Sequence, residues 1–295
     1  MFPFPTSNPL AAARGFRRNL RGFGILLAAI LSAAALLARH SPGRRPLSSH
    51  SSLATLPPLV LWAWERPEDL RFLNPQNVAV AFLAATVELH DGQVTVHPRF
   101  QPLRVPGQAK LVAVVRIETA ASIAKRDRLY RVAIHRGTQP AALNATQLQQ
   151  SVSLIAHAAS LPRVVAVQVD FDATLSERAF YRELLVELRR QLGPRLPISI
   201  TALASWCVDH DWLATLPIDE AVPMLFRMGA GTNEITTRLA SGRDFREPLC
   251  RGSLGLSTDE RWTPLPAGRR LYVFSPQPWT QQAELAVLWE TRSWH

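Results

Sequence analysis

Asp170 and Asp172 stand one residue apart at the end of Val164–Ala173 (VVAVQVDFDA), a run that is otherwise almost wholly apolar. Carboxyls so placed suit acid/base work, one giving or taking a proton while its charged neighbour sets its pKa. Glu65, directly after Trp62-Ala-Trp64, and Glu118, at the end of Leu111–Ile117, are further acids in comparable places. Trp206 and Asp209, Arg227, and Trp279 follow later apolar runs. Carboxylates and tryptophans converging on one rim are what a sugar cleft requires, since indole faces stack on the apolar faces of pyranose rings. Glycoside hydrolysis uses two carboxyls, about 5–5.5 Å apart for retention and roughly 6.5–9.5 Å for inversion. The pattern therefore nominates Asp172 as acid/base, Asp170 as the group that tunes it and Glu65 as the second carboxylate. Trp64, Trp206, Trp279, Arg227 and Glu118 are the candidate substrate-binding residues.

Each assignment has a structural alternative. Asp172 could cap the helix that follows, and Asp170 needs a partner if it is buried, because a lone buried charge is costly. Arg227 is placed to be that partner, or to clamp a substrate carboxylate or phosphate with its planar fork. Glu65 could begin a solvated turn, Glu118 could lie on a polar strand end, and tryptophans commonly pack in cores. Asp209-His-Asp211 offers three metal-compatible side chains in a row, but adjacent residues seldom converge on one ion, and either aspartate could cap a short helix at Trp212. No metal or other cofactor is expected. The chain has no CxxC, HExxH, Walker loop, GxGxxG or GxSxG motif.

The elements that would position these residues are eight apolar runs, Leu59–Trp64, Val78–Ala84, Leu111–Ile117, Val164–Val169, Ile198–Leu203, Ala221–Phe226, Gly252–Leu256 and Leu271–Phe274. Continuous apolar runs suit parallel strands buried on both faces. Eight in series, closed by a helix-like stretch at Gln281–Thr291, predict a (β/α)8 barrel, whose chemistry sits at the carboxyl ends of its strands. The best-defined helix follows the fourth run. Thr174 and Glu177 have capping-box spacing, Phe180, Leu184, Leu188 and Leu192 build an apolar stripe, and Gly193-Pro194 stops it. Thr146 and Gln149 have the same spacing before a helix carrying Leu154 and Ile155. Asn144-Ala-Thr146 is formally a glycosylation acceptor, although a helix start is the simpler reading. Residues 85–110 read as a hairpin around Asp91-Gly92 and residues 257–270 lack helical periodicity, so some barrel helices should be missing or short.

Composition separates the body from a leader. The 295 residues are 47% hydrophobic with a net charge of +10. Seven arginines and no acid fall within residues 1–50, which leaves +3 for the rest. The charge therefore reads as topogenic, and nucleic acid is not an expected partner. Residues 1–21 form a basic n-region. Residues 22–38 (GFGILLAAILSAAALLA) carry no charge, and Arg39 follows them. This is a signal peptide or inner-membrane anchor that keeps the amino terminus cytoplasmic and exports the body to the periplasm, or secretes it after cleavage. Residues 39–57 read as a flexible Ser/Pro/Arg-rich tether, and residues 58–295 as the barrel domain. Cys207 and Cys250, the two cysteines, could pair after export.

Four motifs carry a resemblance. Trp62–Leu70 (WAWERPEDL), Val169–Asp172 (VDFD), Thr201–Cys207 (TALASWC) and Val222–Gly229 (VPMLFRMG) resemble a bacterial domain-of-unknown-function family across about residues 58–280. The resemblance implies an exported barrel and brings no established activity. More distantly, the fourth-run motif is similar to the acidic motif of chitinase-like glycoside hydrolases, in which paired aspartates precede an acid-supplying glutamate. Asp170 and Asp172 match the aspartates, Met224 falls where those enzymes carry a Met-x-Tyr element, and Trp279 falls where they carry a tryptophan. The glutamate position holds Thr174. The expected function is thus hydrolysis of an envelope or extracellular carbohydrate, or else a non-catalytic carbohydrate-binding or scaffold barrel.

Overall fold

The computed structural model describes residues 52–120, 140–209, 212–229, 231–262 and 265–291, with the side chain of Asp209 excepted. The predicted n-region and the apolar segment 22–38 lie outside them. Eight parallel strands are present: β1 (Leu59–Ala63), β2 (Val78–His90), β3 (Leu111–Thr119), β4 (Val164–Asp170), β5 (Ile198–Leu203), β6 (Glu220–Met224), β7 (Ser253–Ser257) and β8 (Arg270–Phe274). Each pairs with its sequence neighbour, and β1 pairs with both β2 and β8, so the sheet closes into a barrel. Every predicted apolar run is a strand of this barrel. β2 is much longer than its apolar run, because its outer half pairs antiparallel with Gln93–Pro98 in a hairpin turning at Asp91.

Alternation along the strands divides the core in two. Leu59, Leu61, Val78, Val80, Val167, Val169, Ile198 and Ile200 point outward and pack against the helices. Val60, Trp62, Ala79, Ala81, Val112, Val114, Ala166, Val222 and Tyr272 fill the lumen. A barrel with side chains of this size inside is a packed core, not a pore. Gly255 on β7 makes room for the largest of them: a Cβ there would lie 3.1 Å from Trp62 Cη2 and 3.4 Å from the Met224 Cα.

Most polar groups of the lower lumen are connected, as buried polar groups usually are, while Ser253 Oγ on β7 is buried without a partner. Trp62 Nε1 donates to Gln168 Oε1 at 2.8 Å, and Gln168 Nε2 donates to Ser199 Oγ at 3.1 Å. Glu220, 3% exposed, accepts from Ser199 and Tyr272 at 3.0 Å and from Arg270 at 2.9 Å. Arg270 also donates to the Leu53 carbonyl at 2.6 Å. The stretch read as a tether thus ends against the barrel: Ser52–Thr55 form a 3-10 turn, and Leu53 and Leu56 join the lumen cluster.

Four helices of more than one turn lie among the described residues: α1 (Ala145–Ala159), α2 (Arg178–Leu192), α3 (Thr232–Ala240) and α4 (Gln281–Thr291). None is long and apolar enough to cross a membrane. As expected, the β2–β3 link is a hairpin, and the described part of the β7–β8 link contains no helix. The cap of α1 differs from the expected Thr146/Gln149 pair. Asn144 accepts from the Gln147 N–H at 2.9 Å, and Gln147 Oε1 accepts from the Asn144 N–H at 3.3 Å. Asparagine is as strong a cap as threonine, and its box partner two residues earlier also reaches the hairpin carbonyls of Asp91 and Gln93. Gly193, at φ +68°, ends α2 in a conformation that suits glycine. α3 has no counterpart in the sequence reading. Cys207 and Cys250 form a disulfide that ties the turn after β5 to the turn before β7.

Candidate functional site

The carboxyl ends of β1, β3, β4 and β5 meet around Arg116. Its position on β3 alternates with outward-facing Val115 and Ile117, so its side chain enters the barrel mouth above Val114. Arg116 Nε lies 3.0 Å from Glu118 Oε1 and 3.8 Å from Asp170 Oδ2. Asp170 accepts a 2.6 Å hydrogen bond from Thr201 Oγ1 on β5. The expectation that Arg227 partners Asp170 is thereby corrected: the partner is Arg116, directly opposite Asp170 in the β3–β4 register. Burial opposes the Arg116 cation, but the fields of Asp170, Glu118, Glu65 and Asp172 outweigh it and hold its pKa above the ordinary guanidinium range. Glu118 and Asp170 thus flank one cation that the sequence reading left unassigned, and it lies within the field of Glu65 and Asp172. The signal was present in the period-two pattern Arg116-Ile-Glu118 at the end of an apolar strand.

An aromatic floor closes the mouth from below. Phe226 and Phe274 stack at 6.0 Å with an interplanar angle of 2°, and Trp64 meets Phe274 edge-on at 6.3 Å. Trp62 lies beneath, 6.2 Å from Phe226 and 5.5 Å from Tyr272. The Arg116 guanidinium is 5.7 Å from the Trp64 ring centre. Across the floor Arg227 lies 5.2 Å from the Phe274 ring centre and 3.3 Å from Asp259 Oδ2. Its backbone is in the left-handed region (φ +52°), and its N–H donates to Glu260 at 2.9 Å. Two arginine–acid groups therefore flank a floor of half-buried rings.

The loop that carries Glu65 is fixed from behind. Arg99, on the segment after the hairpin, donates to the carbonyls of Ala63, Trp64 and Arg66, so the exposed Glu65 stands on an anchored turn. Arg66 pairs with buried Glu68 at 2.6 Å and donates to the carbonyls of Ser275 and Gln277. Trp279 belongs to this scaffold. It is 4% exposed, its Nε1 donates to the Trp62 carbonyl at 2.9 Å, and its N–H donates to Glu68 at 3.0 Å. Trp206, 3% exposed, packs edge-on against Trp212 at 5.0 Å outside the barrel. Neither indole offers an open face to the mouth; of the three nominated platforms, Trp64 stands there.

Asp172 is half-buried in the loop from β4 to α2. That loop is held by buried Glu177, which accepts from the Thr174 N–H and hydroxyl at 2.7 Å and from Thr119 Oγ1 at 2.6 Å. The expected box thus works through its glutamate, and α2 begins one 3-10 turn later. Tyr181 sits beneath the aspartates. Burial above all, with the charges of Asp170 and Asp172, pushes its phenol well above the usual range. Among the described residues no cluster of histidine, cysteine and acids has the makings of a metal site; His210 and Asp211 lie outside them. No protein-family model matches the chain, and no curated protein or solved structure matches it.

Proposed function

We propose that the barrel mouth is a carbohydrate site on an exported protein, and that it acts as a glycoside hydrolase. Asp172 serves as acid/base and Glu65 as the second carboxylate. The observation that carries this reading is the pairing of Glu118 and Asp170 with Arg116, within the field of Glu65 and Asp172 and beside the half-buried ring of Trp64. Such an arrangement supplies acceptors for sugar hydroxyls, a stacking surface and paired carboxyls in one place. Asp170, engaged by Arg116 and Thr201, is a positioning residue that sets the field at Asp172. The basic, then apolar leader and the Cys207–Cys250 disulfide agree with an oxidising compartment outside the cytoplasm.

A non-catalytic binding barrel is the second reading, and one observation favours it. Thr174 occupies the position of the acid-supplying glutamate, and its hydroxyl is committed to Glu177. The two are separated by incubating the full-length chain, purified in mild detergent, with envelope and exopolysaccharide glycans and counting new reducing ends. Hydrolysis predicts release that falls at least a hundredfold in Asp172→Asn, as loss of a general acid/base does. Glycan retention with no release in the wild type selects the binding barrel.

A further inference from the structure

The rim between β4 and β5 carries a second arrangement that the mouth chemistry does not use. Arg178 opens α2 six residues past Asp172, and Trp206 opens the helical turn past β5. The Arg178 guanidinium lies 4.8 Å from the Trp212 ring centre and 5.7 Å from that of Trp206. Arg66, Arg116 and Arg227 on the same face each meet a carboxylate. Among the described residues no carboxylate faces Arg178, and its Nε is buried without an acceptor. The Trp212 indole N–H beside it is buried and unpaired as well. Buried donors in folded proteins are nearly always paired, so two orphans in one cluster call for an explanation.

A guanidinium held by two indole faces, and not by acceptors, keeps its planar fork for an incoming group. The fork matches a carboxylate in bidentate geometry, and the indoles beneath hold its orientation. We propose that Arg178, backed by Trp206 and Trp212, recognises the carboxylate of a uronic-acid residue, so that the glycan taken by the mouth is an acidic polysaccharide. This rests on the reading of the mouth as a carbohydrate site. It assigns Trp206 a part in recognition different from the one its position in the sequence suggested: a support for the cation, not a platform for the sugar.

The test is calorimetric titration of the full-length chain with oligogalacturonate, oligomannuronate and oligoglucuronate, each beside its neutral methyl ester. At least one acid form should bind about tenfold tighter than its ester, the scale of a charge-assisted hydrogen bond. That preference should vanish in Arg178→Gln. Arg178→Lys, which keeps the charge but loses the fork, should retain only part of it, and it decides the matter if the glutamine variant does not fold. Equal affinity for acid and ester, or a preference that survives in the folded variants, overturns the assignment of Arg178 and leaves the carbohydrate site standing. Failure of the wild type to bind any acid or ester form overturns the assignment of a uronic-acid glycan, and failure on the envelope and extracellular polysaccharides as well overturns the carbohydrate site.

Discussion

Arg116 faces Asp170 across the β3–β4 register, 3.8 Å between Nε and Oδ2, with Glu118 at 3.0 Å on its other side. One cation therefore holds two carboxylates whose neighbouring charges would otherwise repel. Removing one member of a buried ion group costs more than the group itself contributes, because the remaining charges stay desolvated. Arg116→Met is expected to lower stability by about 3 kcal/mol, measured as the urea midpoint multiplied by the slope. An unchanged midpoint at neutral pH would show that the mouth does not depend on this cation.

The Cys207–Cys250 bond closes 43 residues of chain that include β6 and α3. On the chain-entropy relation a loop of that length stabilises the fold by about 4 kcal/mol. Cys207→Ala with Cys250→Ala, or reduction of the wild type, should lower the unfolding free energy by that order. Alkylation and mass analysis of the non-reduced chain should find no free thiol. Free thiols in chain recovered from the periplasm would count against export into an oxidising compartment as the source of the bond.

Most of this fold can be read in the chain because its strands are buried on both faces. Val78–Val80 or Val167–Val169 cannot be anything but interior, and eight such runs leave few architectures. The lengths are less legible. The outer half of β2 extends past the apolar run because it is paired on both sides, by Gln93–Pro98 and by Val115–Thr119 of β3. The site is legible in part. Asp170, Asp172, Glu65, Glu118 and Trp64 come together because strand ends in a barrel share one rim. Trp206 and Trp279 stand at equally suitable places in the sequence, yet one packs outside the barrel and the other braces the Trp62 carbonyl. Type and spacing do not say which face of a loop residue is covered. The link between Arg116 and Asp170 needed only the neighbouring strand, whereas pairing Arg227 with Asp170 would have had to span the mouth.

Glu284 offers a pH handle away from the site. It is buried on α4, and burial pushes its carboxyl above the ordinary glutamate value. A raised folded pKa means that the fold tolerates the protonated form better. The associated stability is present below the unfolded pKa and is lost as pH rises through the folded one. Glu284→Gln should therefore have the higher melting temperature at pH 7, and the difference should close by about pH 4. A variant less stable than the wild type at pH 7 would mean that the Glu284 carboxylate is well solvated or paired in the fold.

The claim that the barrel mouth is a carbohydrate site is tested most directly through Trp64. The comparison is retention of the full-length chain on affinity gels cast with envelope and extracellular polysaccharides, for the wild type, Trp64→Ala and Trp289→Ala. Trp289, 75% exposed on α4, controls for non-specific adsorption to a surface indole. The wild type and Trp289→Ala should be retarded by the same glycan. Trp64→Ala should lose about tenfold or more in affinity, the scale of a lost aromatic stacking contact with its buried area. Equal retardation of Trp64→Ala, or no retardation of the wild type by any glycan, would contradict a carbohydrate site at the mouth.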